Sequence, residues 1–235
     1  MTGSLVSPAM RAWVRGLATP IATGLGRLGL TPNGLTVIGF LGTAAAAYAA
    51  ANQAWAVAGV LVLVFGIFDL FDGTLARATG KVTTFGAFLD STLDRAGEAI
   101  VYVGVIWACV GAGHTQGAIA AGSAMAAAFM VSYVRAKAES LGYAPGSGMM
   151  NVGLAPREVR IVILVVAMLL TGANGGVGGG IQLLVLKTID LPFGLWIQSN
   201  AGMAFLTIGL GLITILATIT AIQRILVVRA QAKEG

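Results

Sequence analysis

The sequence predicts an all-α integral membrane protein: six transmembrane helices in one bundle, preceded by an N-terminal amphipathic helix at the membrane surface. Three observations carry this expectation. Hydrophobic residues fill 57% of the 235 positions and charged residues only 10%, with a mean hydropathy of +0.89, so the bilayer is the expected solvent. Apolar runs of about 20 residues, the length a helix needs to cross the hydrocarbon, recur along nearly the whole chain. No polar linker long enough to separate soluble lobes interrupts them, which leaves one membrane domain over residues 31–235.

Residues 1–30 form the juxtamembrane element. Met10, Trp13, Val14, Leu17, Ile21 and Leu25 recur at helical spacing, with Arg11, Arg15 and Arg27 off that stripe, the pattern of a helix resting on a membrane. A secretory signal is the competing reading, but no uninterrupted apolar core followed by a cleavage-like site lies between Arg15 and Arg27. Spans follow near 34–52, 54–76, 86–110, 116–137, 158–173 and 200–222. Residues 174–199, glycine-rich and broken by Pro192, are expected to form a loop that dips into the interface.

An even number of spans puts both termini on one side. With that side cytoplasmic, thirteen of the fourteen basic residues fall in cytoplasmic segments or on cytoplasmic helix halves, and only Lys187 faces out. A multi-pass protein of the cell membrane is therefore expected, with its polar end in the cytoplasm. The net charge of +5 reads as topology and adhesion to anionic lipid, not as nucleic-acid binding. The single cysteine, Cys109, excludes an internal disulfide and reads as a small buried hydrophobe.

Against this apolar background stands "FDLFDGTLARATGKVTTFGAFLDSTLDR". Asp69 and Asp72 are three apart near the cytoplasmic end of the second span; Asp90 and Asp94 are four apart near the start of the third. Each pair shares a helix face, and the short connection makes the two helices antiparallel neighbours, so four carboxylates gather at one spot. Unpaired, each would cost several kcal/mol to desolvate. Arg77 and Arg95 are too few to neutralise them, whereas an all-oxygen cluster suits Mg²⁺ or Mn²⁺, and two ions would balance the charge. A metal-free polar network and the ion pathway of a transporter are the other readings of these residues. The acids lie near the cytoplasmic face rather than the midplane, and no inverted repeat is evident, which argues against transport. Gly73 and Gly86 remove side chains where a ligand or the opposite helix must come close, and Arg77 can grip a phosphate.

The stretch is similar, position for position, to the D-x-x-D-G-x-x-A-R, eight-residue spacer, G-x-x-x-D-x-x-x-D signature of the CDP-alcohol phosphotransferases. Asp69, Asp72, Gly73, Ala76, Arg77, Gly86, Asp90 and Asp94 fill all eight fixed positions. The resemblance implies two-metal transfer of a phosphatidyl-type group from a CDP-linked lipid such as CDP-diacylglycerol to an alcohol, with release of CMP. It implies that Asp69, Asp72 and Asp90 bind Mg²⁺ or Mn²⁺, and that Asp94 contributes to the second ion and acts as general base. The only histidine, His114, falls at the opposite face, so a carboxylate is left to take the proton. "TPNGLT" before the first span reads locally as a helix start. The resemblance adds that this stretch lies against the cytidine, making Asn33, Gly34, Leu35 and Thr36 binding candidates together with Gly73, Arg77 and Thr83.

"SYVRAKAE", "PREVR" and "QR" put Ser132, Arg135, Lys137, Arg157, Arg160 and Arg224 at cytoplasmic ends of three helices. Singly, such cations are ordinary flanking residues. Together they favour an anionic acceptor, and the segments resemble those of the actinobacterial phosphatidylinositol phosphate synthase branch of the family. That resemblance implies inositol 1-phosphate as acceptor, held by Ser132, Arg135, Arg157, Arg160 and Arg224. Glycerol 3-phosphate is the alternative, and a homodimer is the assembly the family suggests.

Overall fold

The computed structural model describes residues 19–143, 153–177, 190–191, 195–196 and 201–234. Along them run seven helices: α1 over 19–27, α2 (Pro32–Ala51), α3 (Trp55–Ala78), α4 (Thr84–Gly111), α5 (Thr115–Ser140), α6 (Arg157–Ala173) and α7 (Ala201–Glu234). All six expected spans are helical, with ends within a few residues of expectation except at α7. Four of them, α2, α3, α5 and α7, are long and apolar enough to cross a membrane. The other two differ for physical reasons. Helix α4 has ample length, 28 residues or about 42 Å, but carries Asp90, Asp94, Arg95 and Glu98 between its start and its middle. Helix α6 has 17 residues, about 25 Å, short of the roughly 30 Å hydrocarbon core. Helix α7 is the opposite case, since 34 residues make about 51 Å and carry its last turns beyond any such core.

Local chemistry sets the helix ends that matter for the site. Thr31 caps α2, its hydroxyl accepting from the Gly34 amide at 3.1 Å, with Pro32 at the first helical position where its missing N–H costs nothing. Thr83 caps α4 in the same way, accepting from the Gly86 amide at 2.9 Å. Between α3 and α4 the chain reverses through Thr79 and Gly80, the latter at φ +66°, a left-handed conformation suited to glycine.

Helix α2 packs against both α3 and α4, α6 bridges α3 and α7, and α5 bridges α4 and α7. The core between them is built from small residues, among them Ala46, Ala47, Ala50, Ala108, Ala121 and Ala124, with Tyr102, Met168, Leu206 and Leu210 filling the gaps. A Cβ on Gly104 would lie 2.3 Å from the Ala47 carbonyl oxygen, so α2 and α4 touch backbone to backbone there. Large apolar side chains point outward instead, Trp107 at 72% exposure and Ile208 at 65%, the inside-out distribution a lipid solvent permits.

Of the N-terminal stripe, Ile21 and Leu25 lie on α1, where neighbouring Ala22 packs onto Leu35 and Leu75 and Leu25 lies alongside. Met10, Trp13, Val14, Leu17, Arg11 and Arg15 lie outside the described residues, as does Lys187. Within the expected 174–199 loop, Asp190–Leu191 and Leu195–Trp196 pair antiparallel, Asp190 opposite Trp196.

Candidate active site

The α3–α4 hairpin brings the aspartates together as their spacing requires. Asp69, Asp72 and Asp90 each present a carboxylate oxygen, all within 4.8 Å of one another. Asp72, 6% exposed, is held at both oxygens: Thr36 Oγ1 donates to Oδ2 at 2.6 Å and the Gly73 amide donates to Oδ1. Thr36, expected against the cytidine, thus positions a carboxylate. Leu35 next to it is a core residue, 1% exposed, that also borders the cavity formed by Thr36, Gly39, Asp69 and Asp94.

Asp94 stands one helical turn beyond Asp90 and outside the trio. Its Oδ1 lies 2.9 Å from Arg157 Nη1 and its Oδ2 3.1 Å from Arg95 Nη1. The same Arg157 nitrogen is 2.7 Å from Asp69 Oδ2, so one guanidinium ties α3, α4 and α6 together. Three hard oxygens at this spacing, with a fourth carboxylate one turn away, fit Mg²⁺ or Mn²⁺; no soft or imidazole ligand intrudes.

Of the nucleotide candidates, Asn33 and Thr83 meet. A Cβ on Gly86 would lie 3.0 Å from Thr83 Oγ1 and 3.1 Å from Asn33 Oδ1, so the starts of α2 and α4 meet there and a side chain would crowd them. Arg77 folds back along α3, its Nη2 donating to Thr74 Oγ1 at 3.4 Å, and its Nη1 would sit 3.3 Å from a Cβ on Gly73. Gly34 is engaged at its amide by the Thr31 cap.

The acceptor candidates divide into two groups. Arg157 joins the carboxylates, and Arg160, 2% exposed, forms a fork-to-fork pair with Glu98 (2.8 Å at both nitrogens) while donating to the Ala155 carbonyl at 3.0 Å. Arg224 is buried at 4% exposure and donates to the Val131 carbonyl at 2.8 Å. Arg135 pairs with Glu139 one turn on, at 2.8 Å, and Ser132 lies half-buried on the same helix. Arg95, Arg135 and Arg160 lie near enough to Arg224 for their charges to act on it, as does the opposite charge of Glu139, which leaves an excess of positive charge around it. Such a cluster favours a bound anion.

Glu98 escaped the sequence reading. The signal was there: Asp90, Asp94, Glu98 and Tyr102 follow at four-residue steps on one face of α4. Nothing local, however, pairs Glu98 with an arginine 62 positions away. His114, expected at the opposite face, is 8% exposed and bonded through Nε2 to Thr207 Oγ1 at 2.8 Å, at the far end of the bundle.

The sequence model of the CDP-alcohol phosphatidyltransferase family matches residues 29–229. An archaetidylinositol phosphate synthase from Pyrococcus horikoshii is 41% identical over 153 residues, 65% of this chain and 77% of that one. A phosphatidylinositol phosphate synthase from Streptomyces avermitilis is 30% identical over 237 residues, 99% of this chain and 86% of its own. Among solved structures, the phosphatidylinositol phosphate synthase of Mycobacterium tuberculosis with CDP-DAG bound superposes with a TM-score of 0.70 at 29% identity, covering 90% of this chain and 92% of that one. A second structure of that enzyme, in complex with manganese and citrate, gives the same score and identity, covering 90% and 88%.

Proposed function

The chain belongs to the CDP-alcohol phosphatidyltransferase family, and from that premise we propose that it transfers the phosphatidyl group of CDP-diacylglycerol to inositol 1-phosphate, giving phosphatidylinositol phosphate and CMP. The observation that carries the acceptor half is that Arg157 and Arg160 line one cavity next to the carboxylates, Arg157 itself reaching Asp69 and Asp94. The names and coverage of the relatives, and the CDP-DAG complex of the mycobacterial enzyme, support the donor half and the acceptor class. The transporter reading gives way to a transferase, since the family is one of phospholipid-synthesising enzymes.

Asp69, Asp72, Asp90 and Asp94 are the residues that would hold two Mg²⁺ or Mn²⁺ ions. Bound there, the ions supply positive charge against the donor diphosphate and the departing CMP. The chain's own groups do the rest. Thr36 and the Gly73 amide fix Asp72, so that its carboxylate does not have to be ordered when the donor arrives. Asn33, Gly34, Leu35, Gly73, Arg77 and Thr83 line the rim where the cytidine and its phosphates lie; small residues at Gly73 and Gly86 let the ligand approach the backbone. Ser132, Arg135, Arg157, Arg160 and Arg224 face the acceptor phosphate. Asp94 takes the proton of the attacking hydroxyl on a carboxylate oxygen as the new P–O bond forms and the bond to CMP breaks. In this reading helices α2 to α7 all cross the membrane, the short α6 included, residues 1–30 lie on its cytoplasmic surface, the active site opens to the cytoplasm, and two copies associate.

The test is CMP release by detergent-purified protein from CDP-diacylglycerol with Mg²⁺ or Mn²⁺, with the lipid product identified for each acceptor supplied. Release with inositol 1-phosphate and formation of phosphatidylinositol phosphate are expected. A product formed from glycerol 3-phosphate in preference would keep the cation pocket and change the acceptor, while no release with any acceptor would sink the reading.

A further inference from the structure

Arg157 borders two cavities of the polar end, and of the residues shared by both, Thr43 and Arg157, it is the charged one. One cavity holds Thr36, Asp69 and Asp94; the other holds Glu98, Tyr102 and Arg160. Its Nη1 sits between Asp69 Oδ2 at 2.7 Å and Asp94 Oδ1 at 2.9 Å. Both are oxygens that the proposed function assigns to divalent cations. Its Nε, by contrast, is buried with no hydrogen-bond partner among the described residues, although burying an unsatisfied donor costs free energy. Arg157 therefore satisfies the carboxylates better than it satisfies itself, the mark of a group with a second position available.

We propose that Arg157 is a built-in counter-ion of Asp69 and Asp94, which divalent cations displace toward the Glu98–Tyr102–Arg160 cavity as they load. The inference rests on the reading of these aspartates as metal ligands. Its physical basis is competition: a guanidinium nitrogen and a metal ion cannot both take the same lone pairs at bonding distance. A metal ion that takes Asp69 Oδ2 or Asp94 Oδ1 must break a charge-assisted pair, so affinity through those oxygens is held below what the carboxylates alone would give. The counter-ion keeps four acids compatible with an apolar bundle in the absence of cations and leaves Asp94 capped until they arrive. Once released, the guanidinium is already beside the arginines that face the acceptor. Arg157 is thus a positioning residue for metal loading in addition to any contact it makes with the acceptor.

The competition has a signature opposite to that of an ordinary supporting residue. Removing a group that merely braces the site weakens metal binding, whereas removing a competitor strengthens it. Mn²⁺ binding to the full-length, detergent-purified protein, followed by the EPR signal of free Mn²⁺ without any CDP-lipid, separates the two. Arg157→Gln keeps most of the volume, loses the charge, and should bind Mn²⁺ about tenfold or more tightly than the unmodified protein, the equivalent of one charge-assisted bond. Arg157→Lys retains a cation and should stay near the unmodified affinity. Unchanged or weaker Mn²⁺ binding by an Arg157→Gln protein that elutes and melts like the unmodified one overturns the inference. Should that variant fail to fold, the same comparison made with Arg157→Lys and Arg157→Met decides it by the same sign. The two readings fail separately: normal CMP release with no gain in Mn²⁺ affinity removes the counter-ion, and a gain in affinity without CMP release from any acceptor removes the transferase chemistry.

Discussion

The two ends of the bundle are built on different principles. At the end marked by the α3–α4 turn, Asp69, Asp72, Asp94, Glu98, Arg95, Arg157 and Arg160 are linked by ion pairs and hydrogen bonds that cross between α2, α3, α4 and α6. At the end marked by the turns around Asn52 and Ala112, alanines and glycines let helices touch, and the long-range polar contacts there include His114 to Thr207 and the Thr171 hydroxyl donating to the Gly202 carbonyl. The first end is costly to assemble and each group depends on its neighbours; the second is cheap and locally tolerant. The difference teaches where substitutions should damage chemistry and where they should damage only stability.

The largest separation is expected for Asp94→Asn, which removes the proposed base without changing volume. Turnover should fall by roughly 10²–10⁴-fold, with melting temperature and CDP-lipid binding close to those of the unmodified protein. Wild-type-like turnover at saturating Mg²⁺ would refute the role of Asp94. Asp69→Asn should lose nucleotide affinity as well, as a direct titration with CDP would detect.

Arg160→Ala comes next and strikes stability as well as binding. It leaves Glu98 charged and 12% exposed, which typically costs about 3–5 kcal/mol. The melting temperature should drop sharply, and a compensating Glu98→Leu should recover much of the loss. In protein that still folds, the acceptor KM should rise by roughly 10- to 100-fold and that of CDP-diacylglycerol far less, as steady-state kinetics with each substrate varied would reveal.

Thr36→Val is subtler. Losing the hydroxyl that orders Asp72 should weaken Mn²⁺ binding by about tenfold, the usual size for the partner of a metal ligand, while the helix core tolerates the shape. Equal Mn²⁺ affinity in the two proteins would show that Asp72 is ordered by the Gly73 amide alone.

The smallest effect belongs to the other end. His114→Ala should cost about 1 kcal/mol of stability by thermal melting and leave turnover unchanged. Desolvation lowers the pKa of His114 from its ordinary 6.5. Its contribution is therefore present above about pH 6.5 and lost as the pH falls through the folded-state value, so the variant should show less acid sensitivity than the unmodified protein.

How much of this was legible follows the range of each interaction. Helical periodicity and the i,i+3 and i,i+4 spacing of Asp69, Asp72, Asp90 and Asp94 are local, and the short 79–83 turn converts them into one cluster without further information. The caps at Thr31 and Thr83 are local too. Arg157 and Arg160 looked alike in sequence because both flank a span, yet a difference of three positions turns one toward Asp69 and Asp94 and the other toward Glu98. Thr36 reads as a helix-start residue until Asp72, 36 positions away, is seen to receive its hydroxyl. Long-range pairings of this kind depend on how helices rotate against one another, which no single helix encodes.

The central claim is that a phosphorylated polyol is the acceptor of a phosphatidyl group carried by CDP. Its most direct measurement is kcat/KM for CMP release with inositol 1-phosphate, glycerol 3-phosphate and free inositol as competing acceptors, at saturating CDP-diacylglycerol and Mg²⁺. The account predicts inositol 1-phosphate first, and free inositol poorer by roughly 10- to 100-fold or more because it brings no phosphate to the arginines. Preference for free inositol would contradict it.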